Sequence, residues 1–169
     1  IKKIRSDLEC KLIRGNVDTR IKKLKDGTYD AIMLSYAGIK FLNFDSEISE
    51  IFSPEKIIPS AGQGIIALQC REGDEEIISV LKKINHNETF MRAHIERNIL
   101  KVLEGDCETA VGAHSIIKGD KIIVEAELFS LDGSKRFYEK KTGKLEEFSQ
   151  IGKKVGQILK IKSNNSYKR

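Results

Sequence analysis

Tryptophan is absent from this chain, and there are only two prolines and three cysteines. No stretch of about 18 or more apolar residues occurs, so no segment reads as a membrane-spanning helix and no membrane partner is expected. No charged-then-apolar leader pattern opens the chain. The opening run IKKIRSDLECKLIRG begins inside a pattern and reads as part of a longer protein. Cys10, Cys70 and Cys107 stand far apart, odd in number and without a CxxC pair. That excludes a disulfide framework and a cysteine-based zinc site, and points to a reducing compartment and a cytoplasmic location. His86, His94 and His114 add no ligand spacing, so no metal is expected. Aromatic residues are 7% of the chain and no basic helix stripe occurs, which argues against a nucleic-acid partner.

What the chain does hold is enough for a core. Hydrophobic residues make up 40% and charged residues 33% of 169 positions, which allows one medium domain or two small ones. The net charge is +5, with much of the excess in Lys153, Lys154, Lys160, Lys162, Lys168 and Arg169. Those residues read as a solvated helix face and a frayed terminus, with the residues after Lys162 loose.

The pattern along the chain predicts a strand at Cys10–Ile13, a helix at Val17–Lys25 with Asn16 as its cap and Gly27 as its stop, and a buried strand at Tyr29–Tyr36. Ile39–Phe52 reads as helical at least in part. This strand–helix–strand–helix order is that of an α/β layer with a parallel sheet. Pro54 and Pro59 bracket a break. A further strand is expected at Ile65–Cys70, then a helix at Glu75–Ile84 capped by Asp74. A longer helix follows at about Glu88–Leu103, with Met91, Ile95, Ile99 and Val102 inward and Gly105 ending it. Ala110–Ile117, Lys121–Phe129 and Lys135–Lys141 read as three strands, with hairpin turns at Gly119-Asp120 and Asp132-Gly133. Leu145–Ile161 reads as a last helix. Helix, three antiparallel strands and helix make a small α+β domain.

Three constellations carry candidate chemistry. In Arg14-Gly15-Asn16-Val17-Asp18-Thr19-Arg20, two guanidiniums flank a helix N-terminus, where free N–H groups and a partial positive charge favour anions. Arginine forks suit carboxylates. The plainer alternative is two surface arginines. Ala61-Gly62-Gln63-Gly64 lies before a predicted strand rather than between strand and helix, so it is no dinucleotide fingerprint and reads as a glycine hinge. In Leu103-Glu104-Gly105-Asp106-Cys107-Glu108, a cysteine follows a helix end beside a glycine, where a thiol can be reactive. The flanking acids oppose this, because nearby negative charge raises a thiol pKa.

In combination, these segments resemble porphobilinogen deaminases. RGNVDTRIKKLKDGTYDAIMLSYAGIK is similar to that family's RGNVxTRLxKL…YDAIxLAxAGLxRL. PSAGQGIIALQCR is similar to PAxGQGAxxIExR, and NETFMRAHIERNILKVLEGDCETAVG to HxxTxxxxxAERxxLxxLEGGCxxPIG. Order and intervals agree from about Cys10 to the last helix. The resemblance implies a transferase that condenses four porphobilinogen units, releasing ammonia, into hydroxymethylbilane. It implies a dipyrromethane cofactor joined by a thioether to Cys107, with Arg14 and Arg20 holding its carboxylates and Gly38 at the edge of its cleft. Gln63 and Arg71 match positions with substrate-binding roles. The family's catalytic Asp lies in an N-terminal domain upstream of Ile1, so this chain alone is expected to be inactive.

The implied fold is α/β plus α+β. Residues 1–58 would be the later half of a doubly wound, periplasmic-binding-protein-like domain, 59–82 a crossover returning to the first domain, and 83–169 the small third domain. The strand at Ile65–Cys70 has its implied neighbours upstream of Ile1. It would therefore need the upstream part as a separate chain, or be remodelled. Asp106 stands where the family has a second glycine, Thr109-Ala110-Val111 departs from its Pro-Ile ending, and Phe41 replaces a carboxylate-binding arginine. The alternative is a non-catalytic anion-binding module on the same frame.

Overall fold

A computed structural model describes residues 1–2, 4–106 and 109–168. They form two compact units, Ile1–Ile51 and Phe52–Arg169.

The first unit contains helix α1 (Val17–Lys25), helix α2 (Tyr36–Phe41) and a 3₁₀ turn at Asp45–Glu47. α1 buries Ile21 and ends at Asp26, where Gly27 at φ +74° lets the chain turn back. Lys22, Lys23 and Lys25 lie in its last turn, the end at which the helix dipole favours cations. The expected strands at Cys10–Ile13 and Tyr29–Tyr36 do not form, and Tyr36 instead opens α2. The expected long helix over Ile39–Phe52 is reduced to the end of α2 and the 3₁₀ turn. The reason is that a strand is defined by its partner. An apolar extended run without a neighbouring ladder leaves its N–H and C=O groups to water. Tyr29 does reach the 10–13 segment, its hydroxyl donating to the Leu12 carbonyl at 3.1 Å, but one side-chain bond is no ladder.

The second unit carries α3 (Glu75–Ile84), α4 (Asn87–Leu103), strands β1 (Val111–Lys118), β2 (Lys121–Phe129) and β3 (Arg136–Lys144), a 3₁₀ turn at Leu145–Glu147, and α5 (Phe148–Ser163). The strands form one antiparallel sheet in the order β1-β2-β3. Lys118 pairs with Lys121, so Gly119-Asp120 is the expected two-residue turn. The second connection is longer than a tight turn, because pairing resumes only at Phe129 with Arg136. Its tip is organised by Asp132, whose carboxylate accepts from the Ser130 and Ser134 hydroxyls and the Ser134 N–H. Those bonds hold its carboxyl at about 2, below the ordinary 3.8. The strand at Ile65–Cys70 also fails to form, leaving Ile66 and Leu68 exposed.

β2 alternates strictly. Ile122, Val124, Ala126 and Leu128 are fully buried and meet Ile95, Ile99 and Leu103 of α4 and Ile151, Val155 and Leu159 of α5. α4 and α5 pack closely because α5 offers glycine where they cross. A Cβ at Gly152 would overlap the Ile95 carbonyl oxygen, and one at Gly156 would lie 2.9 Å from the Val102 Cβ. α3 behaves differently. Asp74 caps it as expected, accepting from the Ile77 N–H at 3.3 Å, but the helix buries no residue.

The C-terminus departs from expectation. α5 runs to Ser163, Asn164 and Asn165 take left-handed conformations, and Tyr167 returns into the core at 2% exposure. Ser166 accepts from the Leu131 N–H at 2.9 Å. The basic residues there are not simply solvated. Lys154 pairs with Glu147, Lys162 with Glu139, and Lys160 and Lys168 with Glu104. Arg169 lies outside the described residues.

Candidate functional site

The Arg14–Arg20 segment keeps its helix start but not its strand. Gly15 takes φ +121°, a conformation that L side chains rarely adopt, and the chain then enters α1. Asn16 occupies the cap position in extended geometry, yet its side chain makes no capping bond, contrary to expectation. The first N–H groups of α1 are thus not closed by their own cap. Arg20 is half-buried and its Nε donates to the Gly15 carbonyl at 2.7 Å, which fixes the guanidinium beside the turn. Arg14 is exposed, and its carbonyl accepts from Lys23 Nζ at 3.0 Å. Among the described residues neither arginine is paired with a carboxylate. Gly38, in α2, faces this turn: a Cβ there would lie 3.6 Å from the Val17 Cγ2. Arg14, Arg20 and Gly38 therefore cluster at one end of α1. Asp18, in the first turn, is a negative charge close by. Phe41 is 85% exposed and contributes no cationic contact.

Gln63 sits between two left-handed glycines, Gly62 at φ +76° and Gly64 at φ +78°. Bonds from Gln63 N–H to Ser60 O at 3.0 Å and from Ile65 N–H to Gly62 O at 3.2 Å make two consecutive turns. The side chain of Gln63 is exposed, and Arg71 is exposed and donates to Asp74 at 3.1 Å, its one side-chain partner among the described residues. These two are not brought together.

The turns are tied down by a residue that sequence reasoning did not single out. Glu96, 3% exposed on α4, accepts from the Gly62 N–H at 2.9 Å through one oxygen. Its other oxygen accepts from the Ser115 N–H at 2.9 Å and the Ser115 hydroxyl at 2.8 Å. Pro59 O accepts from the Ala113 N–H at 2.8 Å, and a side chain at Gly112 would meet Ile58 O at 2.8 Å. One buried carboxylate thus joins α4, β1 and the glycine turns. A Glu next to Ile95 on a helix reads as surface, and only its missing exposure reveals this role. Glu96→Gln would turn an amide NH₂ towards one of these donors. Its expected cost is about 1–3 kcal/mol, read as a lower urea midpoint at unchanged slope.

Cys107 and Glu108 lie outside the described residues. The residues on either side are ordered by identifiable bonds. α4 ends in a Schellman motif, with Glu104 N–H on Lys101 O at 3.2 Å and Gly105 N–H on Leu100 O at 3.0 Å. The left-handed residue is Glu104, at φ 54°, and not Gly105 as expected. Its carboxyl is held below the ordinary range by hydrogen bonds from Lys168 and then Lys160. Across the cysteine position, the Asp106 N–H donates to Thr109 Oγ1 at 3.1 Å, and the Thr109 N–H donates to Asp106 Oδ1 at 3.1 Å. Two departures from the family pattern are therefore each other's partners.

No group of histidine, cysteine or acidic side chains suited to a metal occurs among the described residues. Among the described residues, no helix is long and apolar enough to cross a membrane.

Known proteins bear out the resemblance. Residues 1–79 match the family model described as porphobilinogen deaminase, dipyromethane cofactor binding domain, and residues 90–160 match porphobilinogen deaminase, C-terminal domain. The chain belongs to the porphobilinogen deaminase family. It is 40% identical over 159 residues to the porphobilinogen deaminase of Coxiella burnetii (strain RSA 493 / Nine Mile phase I), a match covering 94% of this chain and 52% of that protein. It is 36% identical over 155 residues to that of Desulforamulus reducens, covering 92% of this chain and 50% of that protein. For the porphobilinogen deaminase of Oceanobacillus iheyensis the identity is 37% over 156 residues, with the same coverages of 92% and 50%. The chain spans about half the length of these curated relatives. Within the porphobilinogen deaminase family models, Arg14, Arg20, Gly38, Gln63 and Arg71 fall in the cofactor-binding match and Cys107 in the C-terminal match.

Proposed function

We propose that this chain is the later part of a hydroxymethylbilane synthase, which joins four porphobilinogen units with release of ammonia on a dipyrromethane primer held by Cys107. The observation that carries the reading is the two family models matching in order, with the arginine seat in the first and the cysteine in the second. Arg14 and Arg20 are suited to the primer's carboxylates. They sit beside uncapped helix N–H groups and carry no carboxylate partner among the described residues, and guanidinium forks suit carboxylates. The group fits this seat, with Gly38 leaving room at its edge.

Bound dipyrromethane supplies the terminal pyrrole to which each new unit is joined. The chain's own residues bind and orient. Cys107 anchors, the arginines offset the accumulating carboxylates, and Gln63 and Arg71 meet the incoming substrate. Proton transfer falls to an acidic residue in an upstream part of the protein, so this chain alone does not turn over. The upstream part is its main partner. In that setting residues 1–58 belong to a doubly wound, periplasmic-binding-protein-like domain, 59–82 cross back to the first domain, and 83–169 form the third. The exposed Ile66, Leu68, Ile77 and Val80 give the 59–82 segment apolar area to bury there. The cysteine pattern favours a reducing compartment, the cytoplasm.

Intact-mass analysis of the complete protein tests the reading. It is expected to show a covalent adduct of dipyrromethane mass, traced to the peptide containing Cys107. An adduct-free protein after incubation with porphobilinogen would favour a non-catalytic anion-binding module.

A further inference from the structure

We propose that the C-terminal segment is a clasp that fixes the end of α4, three residues before Cys107, with Tyr167 as the central positioning residue and Glu104, Lys160 and Lys168 as its outer contacts. The proposal rests on the reading of Cys107 as the primer's anchor.

A helix leaves its last four carbonyls without partners in the helix, and such ends ordinarily fray into water. At the end of α4 all four are accounted for. Leu100 O and Lys101 O accept from Gly105 and Glu104 in the Schellman turn. Val102 O accepts from Lys160 Nζ at 3.4 Å, and Leu103 O accepts from the Tyr167 hydroxyl at 2.9 Å. The last two donors come from α5 and the residues after it, about sixty positions along the chain.

Tyr167 is 2% exposed and belongs to the same buried cluster as Ile95, Leu103 and Leu159, so its hydroxyl is delivered by a fixed ring. The path to it is set by the left-handed Asn164 and Asn165 and by the Leu131–Ser166 bond. Glu104 adds a second tie. A glutamate in the left-handed region is disfavoured relative to glycine. Here its carboxylate receives Lys168 at 2.6 Å and Lys160 at 3.4 Å. Three residues beyond Glu104 stands Cys107. An anchor that holds a covalent primer loses rate if its base shifts by about an ångström. A helix end with no unpaired carbonyl, one left-handed residue held by two lysines, and a buried tyrosine gives that base a single position.

The test uses the complete protein in its cofactor-free form, unaltered and as Tyr167→Phe, which keeps the ring and removes the hydroxyl. Two quantities are read: amide exchange at Glu104 and Gly105, and the rate at which Cys107 gains the covalent adduct on incubation with porphobilinogen, followed by intact mass. Tyr167→Phe is expected to speed exchange at these amides about fivefold to tenfold. It is also expected to slow attachment at least about threefold, with the melting temperature confirming a folded protein. Unchanged exchange overturns the clasp. Faster exchange with unchanged attachment overturns the positioning role and leaves a structural bond only. Should Tyr167→Phe not fold, Lys168→Met reads the same two quantities with about a twofold change expected in each, and no change in either overturns the proposal. If the unaltered protein gains no adduct, the functional reading falls, and the exchange rates alone decide whether the clasp exists.

Discussion

Cys107→Ala is expected to leave the complete protein with no covalent dipyrromethane and with turnover at background. A thioether needs a sulfur nucleophile, and alanine offers none. The neighbours cannot substitute: Asp106 and Glu108 are carboxylates, and Asp106 is already engaged by Thr109. On the proposed reading the effect is all-or-none, because one covalent bond would hold the primer, whereas the carboxylate contacts would be shared between Arg14 and Arg20. Loss of one arginine weakens a distributed electrostatic seat; loss of the sulfur removes the attachment point. Cys10→Ala and Cys70→Ala are the controls. Cys10 is exposed and free, Cys70 is half-buried and free, and neither change is expected to alter adduct mass or turnover. Intact mass and a hydroxymethylbilane assay on the three variants check this. A Cys107→Ala protein still carrying the adduct would place the anchor elsewhere.

Gly152→Val is expected to destabilise the second unit by more than about 3 kcal/mol. The reason is backbone, not side chain. A Cβ at residue 152 would overlap the carbonyl oxygen of Ile95 and approach the Asn98 Cβ at 3.2 Å. No rotamer change relieves a clash with a main-chain atom, so α5 must move away from α4. Moving it opens the contacts of Ile151, Val155 and Leu159 with Ile95, Ile99 and Leu103, the centre of the core. Valine's small gain in helix propensity over glycine does not offset this. Thermal melting of the chain should show a fall of roughly 10 °C or more. Lys153→Ala, one position along and exposed, should stay within about 0.5 kcal/mol of the unaltered protein.

Both effects bear on the same region. α5 packs on α4, α4 ends at the cysteine loop, and the residues after α5 return to complete that end. Damage at Gly152 should therefore reach the end of α4 as well as the core.

Much of the second unit was legible from residues alone. α3 and its Asp74 cap, α4 to within a residue of its start, the Gly119-Asp120 turn and β2 to both ends follow from period, cap and turn chemistry. These are local signals: which face is apolar, which residue tolerates a left-handed turn, which side chain reaches a free N–H. The candidate site was legible as a motif set, because Arg14, Arg20, Gln63 and Cys107 stand at the family's intervals.

What local signals do not carry is pairing. Cys10–Ile13, Tyr29–Tyr36 and Ile65–Cys70 have the composition of strands but remain outside any ladder, since a strand exists only when another segment supplies its hydrogen bonds. The same limit hid Glu96, a charged residue on a helix until Gly62 and Ser115 present three donors to it. By itself, then, the sequence determined the family, helices α1, α3, α4 and α5, and the three antiparallel strands. Tertiary structure alone decided which extended runs became strands, and that Glu96 is a buried tie. It also decided that the basic C-terminus, read as frayed, folds back through Tyr167 onto the last carbonyl of α4. Each of those outcomes depends on a donor and an acceptor far apart in the chain, and only the folded backbone brings them within bonding distance.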